Sequence, residues 1–198
     1  MRRRTYTVAL VALGATCSGC GLQREPTETP LPEVYRALLP YRGDEQLVLV
    51  ADDGERDTLL LRGYTSRMAA ATRYLAAVND RTEHYGLAVN SYDEDYRRRV
   101  DANAAMSVVP TDTSARLELS VEMQGVVLFA FLEHGQLLAL ADTLLAPPLD
   151  TLGDVKAIPF ASEHSDPDYF AERVYWSVSR GLVGFDAGGR SWRLETIR

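Results

Sequence analysis

Residues 115–133 read ARLELSVEMQGVVLFAFLE, and this stretch decides the fold class. From Ala115 to Met123 apolar and polar residues alternate, which is the pattern of a strand with one buried and one solvated face. Gln124-Gly125 supplies turn residues, and the apolar run at 126–132 predicts a second strand, central in its sheet and covered on both faces. Two strands joined by so short a turn run antiparallel.

Further short strands, separated by turns, lie on both sides of this stretch. QLVLV at 46–50 and DTLLLRGY at 57–64 flank the turn residues DDGE at 52–55, which predicts a hairpin. Four more strands are predicted within about 45 residues near the C-terminus, and this spacing indicates an antiparallel meander. They are DVKAIPF at 154–160, RVYWSVS at 173–179, GLVGF at 181–185 and SWRLETI at 191–197.

One segment, SRMAAATRYLAAVND at 66–80, has helical periodicity. After a Thr65 or Ser66 cap, four apolar residues recur at helical spacing and predict one amphipathic helix: Met68, Ala71, Leu75 and Val78. The expected fold of residues 41–198 is therefore a single, mainly β domain, namely an antiparallel barrel, half-barrel or sandwich of about eight to ten strands with one amphipathic helix. The apolar run at 126–132 either belongs to a filled core that this helix completes, or lines a lipophilic cavity; we favour the filled core.

The N-terminal twenty residues contain the only two cysteines of the chain, Cys17 and Cys20. A redox pair would need a strand-to-helix turn around it, and a zinc site would need about four ligands; the flanking sequence offers neither. The flanks instead have the layout of a secretory signal, with three arginines at 2–4, an apolar run at 8–15 and small residues after it. That run is too short to cross a bilayer as a helix of the mature protein.

This N-terminus resembles the signal peptides of bacterial lipoproteins, in which a small residue precedes a cysteine that is acylated and becomes the new N-terminus. Ser18-Gly19-Cys20 matches that pattern, although Cys17 stands where the family usually has Leu. The resemblance implies removal of residues 1–19 as a signal peptide and lipidation of Cys20 by acyl chains such as palmitate. It also implies a lipid-anchored protein of the bacterial cell envelope, expected on the outer membrane at either its periplasmic or its surface face.

A flexible tether is predicted for residues 20–40, between the lipidated cysteine and the domain. GLQREPTETPLP at 21–32 is polar, rich in Pro and Thr, and without apolar periodicity. At the other end of the chain, the part from Asp154 to Leu194 resembles the endings of many uncharacterised lipoproteins of the Bacteroidota, through D-V, V-Y-W-S, G-L-V-G-F and S-W-R-L separated by turns. This second resemblance implies the same location and an antiparallel sheet, but no activity.

The charge of the chain limits the class of partner. Its formal net charge of −7 becomes −10 when the three signal arginines are removed, and Lys156 is the only lysine. Nucleic acids bind through basic patches, so an acidic chain of this kind is not expected to bind them. The partners that remain are the membrane, through the N-terminal lipid anchor, and a protein, glycan or lipid ligand of the domain.

Three acidic stretches of the sequence are candidates for catalytic or metal sites. ASEHSDPDYF at 161–170 brings together the strongest candidates for acid–base or metal chemistry, Glu163, His164, Asp166 and Asp168, and these would serve a small envelope hydrolase. Asp52-Asp53-Gly54 lacks the acidic spacing of a calcium loop and predicts a solvated turn, and SYDEDYRRR at 91–99 predicts a charged loop or edge strand. With no recognised catalytic or nucleotide-binding motif, we expect a non-enzymatic binding or structural module without a cofactor or metal.

The lipidation of Cys20 can be tested on protein extracted from membranes. Mass spectrometry should find an N-terminal, acylated Cys20 with nothing upstream of it. Cys20→Ala should leave the precursor uncleaved by the lipoprotein-specific peptidase, whereas Cys17→Leu, the matched control, should be processed normally. An N-terminus at another residue, or an unmodified Cys20, would contradict the resemblance.

Overall fold

The computed structural model describes residues 27–70, 80–93, 98–99, 105–160 and 169–198. Over these ranges the protein is mainly β: twelve strands form one sheet, ten of them along a continuous path that curls into a nearly closed antiparallel barrel. The strands are β1 (Glu28–Thr29), β2 (Gln46–Ala51), β3 (Arg56–Ala70), β4 (Arg81–Asp93), β5 (Arg98–Arg99), β6 (Ala105–Pro110), β7 (Ala115–Met123), β8 (Val126–Glu133), β9 (Val155–Pro159), β10 (Arg173–Ser177), β11 (Gly181–Ala187) and β12 (Arg190–Ile197). Two short helices complete the described part, α1 (Glu33–Arg36) and α2 (His134–Ala139).

The path through the barrel is β8-β7-β6-β4-β3-β2-β12-β11-β10-β9, and all the pairings along it are antiparallel. The predicted hairpin is confirmed as β2 and β3, and the predicted C-terminal meander is confirmed as β9 to β12. The alternation in β7 is also confirmed, because residues from Ala115 to Met123 are alternately buried and partly or fully exposed. The expected fold class is therefore correct, and the barrel is the alternative that the chain adopts.

Inward-facing side chains from every wall of the barrel fill its interior. The largest fully buried ones include Trp176, Trp192 and Phe185, and the Phe185 and Trp192 rings stack with their centroids 5.7 Å apart. Leucines from β2 and β7 meet these aromatic rings in one continuous cluster. The core is thus built mainly from the strands, and residues between the strands complete it.

Two predictions about individual elements were wrong. The helix predicted from Met68 to Val78 does not form at its start, since Met68–Ala70 continue β3 and pair with β4; residues 71–79 lie outside the described part. Alanine and leucine favour a helix locally, but ladder pairing with β4 overrides that preference. The apolar strand at 126–133 is not central either: β8 is an end of the sheet, and only its alternate residues Leu128 and Ala130 are buried.

The tether predicted for residues 20–40 is wrong over its described part, residues 27–40. β1 pairs in parallel with the start of β4, and α1 follows it. Leu31, Leu38 and Leu39 are buried in the main core. Leu31 stands between two prolines and Leu38 and Leu39 are adjacent, so these leucines produce no periodic pattern and the sequence did not reveal that the segment packs on the barrel.

Glu83 on β4 joins this N-terminal segment to the barrel. Its buried carboxylate accepts hydrogen bonds from the Ser66 hydroxyl at 2.6 Å, the Leu31 N–H at 2.8 Å and the Arg36 guanidinium at 2.6 Å. The hydrogen bond from Ser66, followed by those from Leu31 and Arg36, lowers the pKa of Glu83. The contribution of this carboxylate to stability is therefore present at neutral pH and is lost as the pH falls through its lowered pKa.

Tyr41 closes the same end of the barrel from inside. Its hydroxyl accepts a hydrogen bond from the Leu182 N–H at 2.7 Å, and its ring lies edge-on to Trp176 at 6.5 Å between centroids. Burial raises the pKa of Tyr41, so the hydroxyl stays protonated. The close approach requires a glycine at 181, because a Cβ there would lie 2.2 Å from the Tyr41 hydroxyl oxygen.

This contact predicts an unusually sensitive glycine. Gly181 and Gly54 both have positive φ, +80° and +91°, but a Cβ at Gly54 would have no heavy atom within 4 Å. Gly54→Ala should lower the free energy of unfolding by about 1–2 kcal/mol through backbone strain alone. Gly181→Ala should lose about 1–3 kcal/mol more, because the Tyr41 ring must move. Urea unfolding measures both, and equal losses would contradict the packing of Tyr41.

Candidate functional site: an aromatic surface at the barrel seam

The barrel closes at Val127, where the two ends of the sheet approach each other. The Val127 N–H donates to the Tyr169 carbonyl at 2.8 Å, and the Val127 carbonyl accepts from the Ala171 N–H at 3.0 Å. These bonds form a parallel bridge between Val127 and Phe170, just before β10 begins. Towards the other end of β8 the strands separate, and α2 covers the gap with its buried Leu137. We call the closure at Val127 the seam.

Five aromatic rings surround the seam on the outside of the barrel. Phe160 and Phe170 stack with their centroids 4.7 Å apart, Phe129 lies 4.8 Å from Phe131 and 6.2 Å from Phe160, and Tyr169 lies edge-on to Phe170 at 5.0 Å. The rings therefore form one connected group. We call it the seam surface: Phe129, Phe131, Phe160, Tyr169 and Phe170.

Strand alternation explains why these rings point outward. Leu128 and Ala130 of β8 face the core, so Phe129 and Phe131 face the outside. They keep 36% and 47% of their surface exposed, and Tyr169 keeps 48%. Single exposed apolar residues are ordinary, but a connected group of exposed aromatic rings is a mark of an interaction site.

A cleft of about 260 Å³ lies beside these rings. Aromatic rings and two valines form one part of its wall, and a hydroxyl and a carboxylate from β7 contribute to the rest. The lining residues are Ser120, Val121, Glu122, Val127, Phe129, Tyr169 and Phe170. The cleft thus combines apolar contact area with hydrogen-bonding groups, as binding sites do.

Arg116 forms the rim of the seam surface. Its guanidinium carbon lies 4.9 Å from the centre of the Phe131 ring, in a cation–π arrangement. The same guanidinium bonds to Glu118 two residues further along β7, which neutralises its charge. Glu122 therefore gives the described part of the cleft a negative character.

A second polar cluster lies on the outer face of β10 to β12. Burial opposes ionisation of Asp186, but hydrogen bonds from Tyr175 at 2.6 Å, Arg193 at 2.9 Å and Ser191 at 3.0 Å outweigh it and lower the pKa of Asp186. The Arg193 guanidinium also covers the Tyr175 ring at 4.5 Å. Both carboxylate oxygens are used in tying three strands together, so we interpret the cluster as structural.

A larger cleft, of about 490 Å³, lies between the N-terminal segment and the end of β12. Glu45 lines it, but its carboxylate accepts hydrogen bonds from the backbone N–H groups of Arg42, Gly43 and Asp44. These bonds overcome the effect of burial and lower the pKa of Glu45. The carboxylate therefore stabilises its own turn.

The residues predicted to carry chemistry fall mostly outside the described part of the chain. The structure does not describe residues 1–26, which include Cys20. It also does not describe residues 161–168, which include Glu163, His164, Asp166 and Asp168. Of SYDEDYRRR, residues 91–93 end β4 and residues 98–99 form β5 beside it. The turn at 52–55 is confirmed, and Asp53 in it pairs with Arg190 at 2.6 Å.

The single lysine does not offer a free amine. Lys156 is buried, and its ammonium group donates to the Leu140 carbonyl at 2.7 Å and pairs with Asp142 at 2.8 Å. Among the residues that the structure describes, no three His, Cys, Asp or Glu side chains are grouped as a metal site would require. The same residues include no helix that is long and apolar enough to span a membrane.

Sequence reasoning missed the seam surface. Phe129 and Phe131 have the alternate spacing of one strand face, and that spacing was the available signal. The apolar residues on both sides of them and Ala130 between them concealed it. Comparison of the chain with protein-family models, with curated protein sequences and with solved structures found no match.

The exposed phenylalanines should contribute little to stability, as expected if they serve binding. Phe131→Ser should lower the free energy of unfolding by about 1 kcal/mol or less, mainly through the lost contact with Arg116. Leu128→Ala, on the opposite face of the same strand, should lower it by about 2–5 kcal/mol because it leaves a cavity in the core. Chemical denaturation compares the two variants, and a loss at Phe131 as large as that at Leu128 would show that its ring belongs to the core.

Proposed function

We propose that this protein is a lipid-anchored component of the bacterial cell envelope whose barrel is a non-enzymatic binding module. The observation that carries the binding role is the seam surface, in which Phe129, Phe131 and Tyr169 are exposed within one connected group of aromatic rings. The lipid anchor is supported by the signal-like N-terminus and by Ser18-Gly19-Cys20.

The chemistry of the seam surface favours a protein partner. Aromatic residues and arginine are enriched in protein interfaces, where a few rings at the centre contribute most of the binding energy and polar groups form the rim. Here the rings are central and Arg116 and Glu118 lie at the edge. Glu122 in the cleft suits a basic group of the partner and disfavours an anionic ligand.

The internal use of charged groups supports binding over catalysis. The buried or half-buried carboxylates of Glu45, Glu83, Asp154 and Asp186 all accept hydrogen bonds from the domain itself. A catalytic acid or base needs a group that is free to exchange a proton with a substrate. These four carboxylates stabilise turns and strand contacts.

Site-specific photo-crosslinking tests the binding role in living cells. A photoreactive phenylalanine analogue at position 131 should form ultraviolet-dependent adducts. The control is the same analogue in place of Leu144, which is 80% exposed, and it should not form the adducts seen at position 131. Tyr169→Ser should reduce adduct formation at position 131 severalfold, because it removes a neighbouring ring from the same surface.

The nature of the adduct identifies the class of partner. Protease should destroy the adduct if the partner is a protein. An adduct that only glycan-degrading enzymes remove would show that the partner is a polysaccharide and not a protein. The absence of any adduct at position 131, or the same adducts at positions 131 and 144, would contradict binding at the seam surface.

A further inference from the structure

We infer that the protein presents one particular end of its barrel to the bilayer. β3 and β4 extend beyond the end of β2 as an arm, formed by residues 64–70 and 81–87, which β6 flanks at residues 85–87 and β1 flanks at residues 81–82. The far end of the described part of this arm, at Met68 and Arg81, is the surface that faces the lipid headgroups. This inference rests on the proposed anchor at Cys20 and adds an orientation that the anchor alone does not determine.

The N-terminal strand leaves the domain at the far end of the arm. β1 runs in parallel beside the start of β4, with Glu28 opposite Arg81. One residue earlier, the Thr27 carbonyl accepts from the Arg81 N–H at 2.9 Å, and the Thr27 N–H donates to Asp80 at 3.2 Å. Thr27 is therefore hydrogen-bonded at the start of β4, which is the opposite end of that strand from Asp93.

The chain between the anchor and this point is short. Cys20 lies seven residues before Thr27, and seven residues span at most about 25 Å when fully extended. The lipid attachment must therefore lie within about 25 Å of the far end of the arm. The tether is therefore shorter than the one predicted from the sequence, which extended from residue 20 to residue 40.

The N-terminal segment does not separate from the barrel easily. Leu31, Leu38 and Leu39 are buried in the core, and Glu83 holds Leu31 and Arg36 by hydrogen bonds. Separating the segment from the barrel would expose these leucines to water and leave the Glu83 carboxylate with fewer hydrogen-bond partners, and both changes are unfavourable. The point where the tether begins is thus a fixed part of the domain.

The opposite end of the barrel lies beyond the reach of the tether. β3 has 15 residues from Arg56 to Ala70, which corresponds to about 45–50 Å in an extended strand. The turn at 52–55 joins β2 to the Arg56 end. A tether of at most about 25 Å that begins at the arm therefore directs the arm, and not this turn, towards the bilayer.

The side chains at the end of the arm suit a headgroup layer. Met68 and Arg67 are exposed, and Arg81 is exposed beside Glu28 at 4.0 Å. Arginine and methionine side chains carry apolar stems that enter the interface while the guanidinium remains hydrated. The other charged groups facing this region are Asp80, Glu83 and Arg36, of which the last two are paired with each other. The described arm is close to neutral, in contrast to the chain as a whole, and so is not repelled by anionic lipids.

The orientation also determines that the seam faces away from the bilayer. Glu133 pairs with Arg116 at the end of β8 nearer the arm, and Val127 pairs with Glu122 six residues further towards the β7–β8 turn. The cleft beside Val127 is consequently turned away from the bilayer, where a partner in the aqueous compartment can reach it.

Fluorescence quenching on vesicles tests the orientation with the acylated full-length protein. Cys17 is removed with the signal and the thiol of Cys20 is acylated, so an introduced cysteine would be the only free thiol of the mature chain. A fluorophore is attached at Met68→Cys, at Thr65→Cys as a second position on the arm, and at Asp52→Cys on the distal turn. The protein is reconstituted into vesicles of phosphatidylethanolamine and phosphatidylglycerol that contain a headgroup nitroxide quencher.

Quenching at Met68→Cys is expected to exceed that at Asp52→Cys at least threefold, with Thr65→Cys intermediate. Equal quenching at Met68→Cys and Asp52→Cys, or stronger quenching at Asp52→Cys, on protein shown by mass spectrometry to be acylated overturns the orientation and leaves the anchor in place. Protein without acylation at Cys20 overturns the anchor and the orientation together. Unchanged thermal unfolding of the labelled variants shows that a difference in quenching does not come from misfolding.

Discussion

The two hydrogen bonds at Val127 are the constraint on which the arrangement of the outer surface depends. A sheet of ten strands with free edges would present two rows of unpaired N–H and C=O groups, and closing the barrel removes much of that exposure. Here the closure uses the short stretch before β10, and it brings Tyr169 and Phe170 against β8. The same step places Phe160, at the end of β9, within ring contact of Phe129 and Phe170. The seam surface is therefore a consequence of how the barrel closes.

A different set of contacts controls the other end of the molecule. Tyr41 fills the barrel end over Gly181, while Tyr64 donates a hydrogen bond to the Leu39 carbonyl at 3.0 Å and stacks on Tyr85 at 4.5 Å. Together with Glu83, these groups make the N-terminal segment part of the folded domain. A membrane-anchored protein transmits the position of its anchor only through such fixed contacts. In this chain the first described residues lie beside the arm, so the anchor proposed at Cys20 would act on that end of the barrel and leave the opposite end open to the proposed partner.

The acidic character of the chain has a structural explanation in the described residues. Glu45, Asp154 and Asp186 each stabilise a turn or a strand contact, and each has a lowered pKa because its hydrogen bonds outweigh the effect of burial. Arg190 pairs with both Asp53 and Glu55 across the ends of β2, β3 and β12. In a chain with a single lysine, arginine performs this pairing, since its planar guanidinium can bind two carboxylates at once. The charged groups tie strands and turns of the barrel together, and the exposed aromatic rings form the seam surface.

The sequence by itself determined the local elements of this protein. The alternation from Ala115 to Met123, the turn at 52–55 and the closely spaced C-terminal strands predicted a mainly antiparallel β domain, because a strand with one buried face leaves a period of two in the residues. Only the tertiary structure decided that 126–133 is an edge strand, that Met68–Ala70 extend β3, and that residues 27–40 pack on the barrel. Each of these depends on which distant segment lies alongside, and neither apolar content nor helix propensity records a neighbour far away in the chain. For the same reason the seam surface was not predictable, since its five rings come from three separate segments that meet only when the barrel closes.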